Sequence, residues 1–562
     1  MSYSIVNKED TRVLQPHIRG QDLLNNPLLN KSTAFTMEER SAFGLHGLLP
    51  PIVESIDQQA QRVYQQYQRY TNTQQQHSFL HELYSRNEIL FYYVLRKHLP
   101  ELLSIIYTPT VAQAVIEYSG RYQTPRGIYI SYADRNRLEE LLRAHTGAGI
   151  DLLVISDGEG VLGIGDQGIG GIEIPIAKLA MYITNGQCSP YRGLAVFLDV
   201  GTNNTKLLED PLYLGYRKPR VKGEEYSAFV DQVVSIVDTV FPRAVIHWED
   251  FSKINARRHL QAYCKKIPCF NDDIQGTGVV VLAAILTALR YKGETLSQQR
   301  IVIVGAGSAG VGVAKQIYAA ARHYGMSKEQ AQELFWLLDR YGLVLANHTH
   351  VGNDELQFAR PYNEIGEWEN RQLIDVVRQA QPTILIGCST VANMFDSDIL
   401  NEVCKATPRP IILPLSNPLD CAEATPQAIC TASNFKAFIA TGSPFPPVKD
   451  HNGALMEVSQ CNNLYAFPGI GAGMIATQAT ELTTTMLIAA AEAISQLTAD
   501  TDLGESSIMP RVTDLASVSS AVAKAVAIQS IRDKVNRQSE AQALKRLQTL
   551  SWQPEYYTYA SQ

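Results

Sequence analysis

Apolar positions follow two different periods along this chain, and the change between them marks its organisation. Through residues 1–105 the spacing is mostly helical. In "QQAQRVYQQYQRY" aliphatic and aromatic residues recur at helical intervals, so the Gln-rich stretch reads as a solvated amphipathic helix rather than low complexity. "TMEERSAFGLHGLLPP" opens with a capping box, Thr36 with Glu39 three residues on, and is expected to run until Pro50–Pro51 stops it. From about residue 120 short buried strands alternate with helices. "DLLVISDGEGVLGIGDQG" reads as a strand, a turn at Asp157–Gly158 and a second strand. "GLAVFLDVGTNN" and "RAVIHWEDF" are further buried strands, the latter ending in Glu249–Asp250. Residues 271–340 form a βαβ-like unit, with an apolar helix in "TGVVVLAAILTALRY" and a strand, Gly-rich turn and helix in "QRIVIVGAGSAGVGVAKQIYAAARHYG". Strands return at "LFWLLD", "TILIGCS", "IILPLSNP" and "FIATGSP", and a late helix at "DLASVSSAVAKAVAIQSIRDKV". Such alternation implies parallel sheets covered by helices.

The expected fold class is α/β: a helical N-terminal region, an α/β substrate domain and a doubly wound, Rossmann-type dinucleotide domain. The expected boundaries are 1–75, 76–268, 269–530 and a tail at 531–562, with a segment near 440–475 returning to the active site. The length of 562 residues suits roughly three or four domains. A net charge of −7 leaves no basic footprint for nucleic acid. The eight cysteines form no C-x-x-C, so free thiols in a reducing compartment are expected. The first residues show no signal or transit peptide, and no window reaches about 18 uninterrupted apolar residues. A soluble cytoplasmic protein, with no membrane partner, follows.

The strongest motif is Gly305-Ala306-Gly307-Ser308-Ala309-Gly310, because it follows a strand and opens a helix. Its backbone N–H groups can meet a pyrophosphate at the positive helix end. Asp339 ends the next strand, where a carboxylate accepts hydrogen bonds from a ribose diol and repels a 2′-phosphate, which favours NAD over NADP. Arg340 beside it works against that preference. A second match, Gly163 to Gly168, reads as a loop wall. Glu249–Asp250 and Asp272–Asp273 are acidic pairs at strand ends. Either pair alone reads as solvated acids or helix caps. Two such pairs repel unless a cation joins them, and carboxylates without His or Cys select Mg²⁺ or Mn²⁺. Lys178 interrupts the apolar stretch "IPIAKLAMY"; it is either a snorkelling surface lysine or a buried base. Tyr107 in "IIYTPTV" precedes a proline-held turn and by itself reads as a core tyrosine with a hydrogen-bonded hydroxyl. Asn417 in "PLSNP" and Asn462–Asn463 in "QCNNLYAFPG" are turn formers that can also donate to a carboxylate.

Taken together these segments resemble the malic enzymes over most of the chain. The matching stretches include "NKSTAFTMEERSAFGLHGLLPP", "YTPTV", "SDGEGVLGIGDQGIGG", "IPIAKL", "DVGTNN", "WEDF", "FNDDIQGTG", "GAGSAG", "PLSNP", "ATGSPFPPV" and "NNLYAFPGIG". The resemblance implies oxidative decarboxylation of (S)-malate to pyruvate and CO₂ with NAD and Mg²⁺ or Mn²⁺. It implies that Glu249, Asp250 and Asp273 hold the metal, that Lys178 takes the C2 hydroxyl proton, and that Tyr107 protonates C3. Asp272 would tune Lys178. Asn417 and Asn462 or Asn463 would bind malate, and Gly305 to Ser308, Gly310, Asp339 and Asn417 would hold the cofactor. A homodimer or homotetramer is implied, with the helical N-terminus at the interface. Arg40 lies in a stretch that forms a fumarate effector site in some relatives; no regulation is expected from it here.

One position departs from the pattern. Where most malic enzymes carry an arginine that contacts malate, this chain has Gly160. That feature, with "IHWEDF", "YLGYRKPR", "KGEEY" and "IQGTGVVVLA", is closer to the malolactic enzymes, which convert malate to lactate and CO₂ with bound NAD. A non-catalytic NAD- or metabolite-sensing homologue is the remaining alternative.

Overall fold

The computed structural model describes residues 3–560 except 9–10, 145–148, 162, 349–351, 366–367, 369–370 and 501–506. Contacts divide the chain into two units: residues up to Ser252 together with those from Lys545 onward, and Lys253–Leu544.

The first unit opens with an antiparallel hairpin, β1 (Tyr3–Lys8) and β2 (Thr11–Pro16), before its helices begin. The capping box at Thr36 forms as expected, but the helix it starts is only Met37–Phe43. Gly44 ends it in the left-handed region at φ 69°, six residues before the prolines, as a glycine without Cβ strain can. At the centre are parallel strands in the order β3 (Ile128–Ser131), β5 (Gly193–Asp199), β4 (Leu152–Ser156) and β6 (Val245–Trp248). Every residue of β4 and β6 is buried, the mark of a parallel sheet covered on both faces. Helix Glu173–Thr184 packs on β4 and β5 and is itself wholly buried, so its three polar positions, Glu173, Lys178 and Thr184, stand out. The second strand expected after Asp157 does not form. Val161 and Gly165 make only an isolated bridge, because left-handed Gly163 and Gly165 turn the chain back at once. The final residues fold against this unit: Trp552 N–H donates to Gly186, and Tyr559 lies edge-on to Phe35 and Phe43.

The second unit begins with helix Lys253–Tyr263 and β7 (Cys269–Asn271). Its sheet runs β10 (Gly342–Leu343), β9 (Phe335–Asp339), β8 (Ile301–Val304), β11 (Ile384–Gly387), β12 (Ile411–Pro414), β13 (Phe438–Thr441), then the short strand Ser459–Gln460. All neighbours are parallel except the β9–β10 hairpin. Chain order reverses between β8 and β11, so the crevice at their carboxyl ends is the switch point where such sheets take ligands. On one face Val302, Leu385 and Ile412 pack with Val376, Leu400, Val403 and Ile429 of the covering helices. Burying each such side chain contributes on the order of 1.5–3 kcal/mol, more than any helix propensity difference here. Helix Thr277–Lys292 packs against helices Ser308–His323 and Thr484–Ala499. The segment Asp272–Lys292, like Leu99–Ile116, is long and apolar enough to cross a membrane, and most of it is enclosed in this core.

Candidate active site and cofactor cleft

In the first unit the structure brings Tyr107, Lys178 and Glu249 together. Lys178 is one turn and a half into a buried helix, where an ammonium is tolerated only if it is paired. Its Nζ lies 3.0 Å from Glu249 Oε1 and 5.8 Å from the centre of the Tyr107 ring. Both partners of the ion pair are at most 5% exposed, so the snorkelling alternative fails. Tyr107 is buried where helix Leu99–Ile106 ends, just before a cis Thr108–Pro109 bond.

Glu249 leaves the end of β6 and is held from its other side by a residue the sequence reading passed over. His247 sits two residues earlier, on the same face of the strand, and its Nε2 is 2.8 Å from Glu249 Oε2. The Tyr182 hydroxyl lies 3.0 Å from His247 Nδ1. With Glu249 ionised, Tyr182 donates to Nδ1 and Nε2–H donates to the carboxylate, which leaves Oε1 facing Lys178. The i, i+2 spacing in "IHWEDF" was the available signal. Asp250 follows in the left-handed region at φ 54°, an uncommon conformation for a residue with a Cβ. That turn brings an Asp250 oxygen within 4.8 Å of one from Glu249. Two buried carboxylates so close are the donor chemistry that suits a hard divalent cation, so these residues fit the expected metal.

Gly160 has a structural use in this arrangement. Its N–H donates to the Asp250 carbonyl at 3.0 Å, and a Cβ placed on it would meet the Phe251 carbonyl oxygen at 2.4 Å. The bare backbone lets the Glu249–Ser252 turn close over it. Nearby, Arg220 clasps the Gly-rich loop: its Nε and Nη2 reach Asp166 at 2.8 and 2.9 Å, and Nη1 lies 3.5 Å from Asp157. The Tyr226 hydroxyl donates to Asp157 at 2.8 Å. Burial raises Asp157 to about 6 despite Arg220. Burial also pushes Asp166 up, but the Arg220 hydrogen bonds and charge outweigh it and leave the carboxyl below its ordinary range. This clasp ties the Gly163–Gly168 loop to Asp157. Arg40, in turn, donates to the carbonyls of Thr33, Phe35, Pro50 and Ile52, so its guanidinium pins the chain after helix Met37–Phe43.

In the second unit Asp272 and Asp273 open a π-helical turn, Asp272–Gly276, between β7 and the long apolar helix. Asn271 caps it by accepting from Ile274 N–H at 3.0 Å. Asp272 is fully buried and Asp273 partly so. A Cβ on Gly276 would come within 1.8 Å of Asp272 Oδ1, so the glycine makes room for that carboxylate. Asn463 Nδ2 donates to Asp272 Oδ2 at 3.2 Å, to its carbonyl at 3.1 Å and to Thr277 Oγ1 at 3.1 Å. The amide of Asn463 therefore orients the acidic turn. Asn462 caps the next turn by accepting from Leu464 N–H at 2.9 Å, which leaves its amide nitrogen as the donor of the pair.

The Gly305–Gly310 turn joins β8 to helix Ser308–His323 at the switch point. Gly305 sits at φ 111°, and a Cβ there would meet the Cys388 carbonyl at 2.3 Å. A Cβ on Gly310 would strike the Gly305 carbonyl at 2.0 Å. Ser308 Oγ is buried with no hydrogen-bond partner among the described residues, at a helix start where a phosphate oxygen would accept from it. Ala306 lies within the turn. Lys253 Nζ, which sequence reasoning missed, stands 3.1 Å from the Cβ position of Gly307 and adds positive charge there. Asp339 ends β9 and accepts from Tyr341 N–H at 2.7 Å, while Arg340 stacks on the Tyr341 ring at 4.8 Å. Asn417 precedes a cis proline, and its Oδ1 accepts from the Ser443 hydroxyl. These features fit a dinucleotide.

Residues 84–264 match the family described as malic enzyme, N-terminal domain, and residues 274–531 match malic enzyme, NAD binding domain. The chain is 41% identical over 544 residues to the NAD-dependent malic enzyme of Psychrobacter cryohalolentis, covering 96% of this chain and 97% of the relative. It is 42% identical to that of Acinetobacter baylyi, with 96% of each covered. In fold it is similar to the malic enzyme of Entamoeba histolytica, at a TM-score of 0.54 and 21% identity over 81% of this chain and 80% of the other. A buried lysine–glutamate pair at a strand end, a capped Asp-Asp turn, a glycine-rich cofactor turn and near-full-length identity of this order have one explanation: the chain belongs to the malic enzyme family.

Proposed function

We propose that the protein oxidatively decarboxylates (S)-malate to pyruvate and CO₂ with NAD as hydride acceptor. The observation that carries this reading is the buried Lys178–Glu249 pair beside Tyr107, in a chain whose relatives bear that activity in their names. Glu249, Asp250 and Asp273 would hold Mg²⁺ or Mn²⁺. NAD, held at the Gly305–Gly310 turn, would supply the hydride acceptor for C2, and a metal held by these acids would supply positive charge for the C2 oxygen. Lys178 in its amine form accepts the C2 hydroxyl proton, and Tyr107 delivers a proton to C3 after CO₂ departs. Asp272, oriented by Asn463, supports Lys178. Asn417 and Asn462 donate to the substrate carboxylates, and the buried walls around Lys178 exclude water from the proton transfers. The eight cysteines are all free thiols, in keeping with a reducing compartment such as the cytoplasm. A homodimer or homotetramer is part of the same proposal.

Gly160 favours a second reading, the malolactic one, because no side-chain charge stands there. One assay separates the two. With malate, Mn²⁺ and NAD, equal amounts of NADH and pyruvate support oxidative decarboxylation. Lactate without free NADH supports the malolactic reaction, and no turnover would leave a sensing homologue.

A further inference from the structure

The loops after β11 and β12 form one wall of the cofactor cleft, and a single carboxylate ties them together. Glu423 is fully buried. Its Oε1 accepts from Ser389 N–H at 2.7 Å, from the Ser389 hydroxyl at 2.8 Å and from the Ser416 hydroxyl. Its Oε2 accepts from Ser416 N–H at 3.3 Å. No lysine or arginine pairs with it among the described residues. Ser389 follows β11 and Ser416 follows β12, so four neutral donors from two loops converge on one acid.

Two features show that the chain is built around this contact. A Cβ on Gly387 would lie 2.5 Å from Glu423 Cδ, so β11 must end in glycine for the carboxylate to enter. Thr390 sits at φ 57°, a strained state for a β-branched residue. Its N–H is held at 2.8 Å by Ser416 Oγ, the same oxygen whose hydrogen goes to Glu423. The gripped loop reaches the cofactor turn directly, because the Cys388 carbonyl occupies the space a Gly305 side chain would need.

We propose that Glu423 is a positioning residue for the nicotinamide half of the cofactor cleft. In doubly wound sheets the half that begins at the Gly-rich strand takes the adenosine, and the half beyond the switch point takes the second nucleotide. Glu423 acts on the loops of that second half, and neighbouring Ser416 carries Asn417 with it. Its charge matters because every group facing it donates. An amide at this position keeps one oxygen for the three donors on the Oε1 side, loses the charge that strengthens them, and turns its hydrogens toward Ser416 N–H, which releases the loop after β12.

The test is direct binding of NAD and of ADP-ribose, which lacks nicotinamide, to the full-length chain. Glu423→Gln should raise the NAD dissociation constant about tenfold, the scale of one hydrogen bond to a charged group, and move that of ADP-ribose less than about twofold. Equal weakening of both ligands, or no change in either, would overturn the proposal. Ser389→Ala removes one donor to Glu423 and the acceptor of Val391 N–H, which lies on an exposed residue that water can serve, and is the variant to use if the Gln variant does not fold. It should weaken NAD about threefold over ADP-ribose, and an unchanged ratio would again overturn it. Because binding is read without malate or metal, these outcomes are independent of the reaction proposed above.

Discussion

Two sites, one in each unit, manage buried acids in opposite ways. In the first, three carboxylates are matched by full charges: Glu249 by Lys178, Asp166 and Asp157 by Arg220. In the second, Glu423 is matched, among the described residues, only by hydroxyls and backbone N–H groups. The difference follows from what each site must do. A charge pair can be rearranged when a proton or a cation arrives. A carboxylate saturated by neutral donors has nothing to exchange, so it fixes shape.

The largest break in this contrast should come from Lys178→Ala, with kcat reduced by roughly 10²–10⁴ and malate affinity changed far less, since a proton-transfer group acts in the transition state. Steady-state kinetics at saturating NAD check it; a change confined to KM would show that Lys178 only binds. Next is Arg220→Met, which leaves Asp157 and Asp166 without their cation. Denaturant unfolding should show a loss of about 3–5 kcal/mol, and a loss under about 1 kcal/mol would mean the clasp is dispensable.

Glu173 sharpens the comparison, because it is a buried acid of the first unit without such a close charged partner among the described residues. It lines a cavity of about 270 Å³ with His77, His81, Arg121 and Arg126. Burial raises it to about 7, against the lowering pull of the two arginines. Burial lowers His77 and His81 to about 4, aided by neighbouring positive charge. The native state therefore holds the Glu173 proton where the unfolded chain has released it. That stabilisation is complete below the unfolded value of 4.5 and is lost as pH rises to about 7. Glu173→Gln should gain on the wild type by on the order of 1–3 kcal/mol between pH 4.5 and 8, read from paired unfolding curves. The histidines contribute to both proteins and cancel. A constant difference across that range would contradict the burial argument.

The smallest effect concerns Gly160. Because the Phe251 carbonyl stands 2.4 Å from its Cβ position, Gly160→Ala should loosen the turn that carries Asp250. The apparent dissociation constant for Mn²⁺ in the kinetics should rise several-fold, with NAD binding untouched. Tighter malate binding by Gly160→Arg, the outcome expected from charge alone, would require that turn to move.

Much of the fold was legible. Uninterrupted apolar runs marked β4, β8, β11 and β12, since strands covered on both faces leave no polar alternation. The capping box at Thr36 formed as its spacing predicted. Ends were less legible: helix Met37–Phe43 stops at a glycine whose left-handed turn is a local choice, and β1–β2 carries no strong period. Lys178 illustrates the limit at the site. Its position in an apolar helix was visible, but an isolated lysine reads the same whether its head meets water or a buried acid.

Local chemistry thus came from the chain itself: the glycines that a tight cofactor turn demands, the acids at strand ends, the lysine in an apolar helix. Those features depend on residues a few positions apart, where backbone geometry leaves few choices. Which acid meets Lys178, why Gly160 is bare, and that Glu423 binds Ser389 and Ser416 were decided only when distant strands were laid side by side. Burial turns such meetings into strong interactions, and no single segment carries the information about what will be buried next to it.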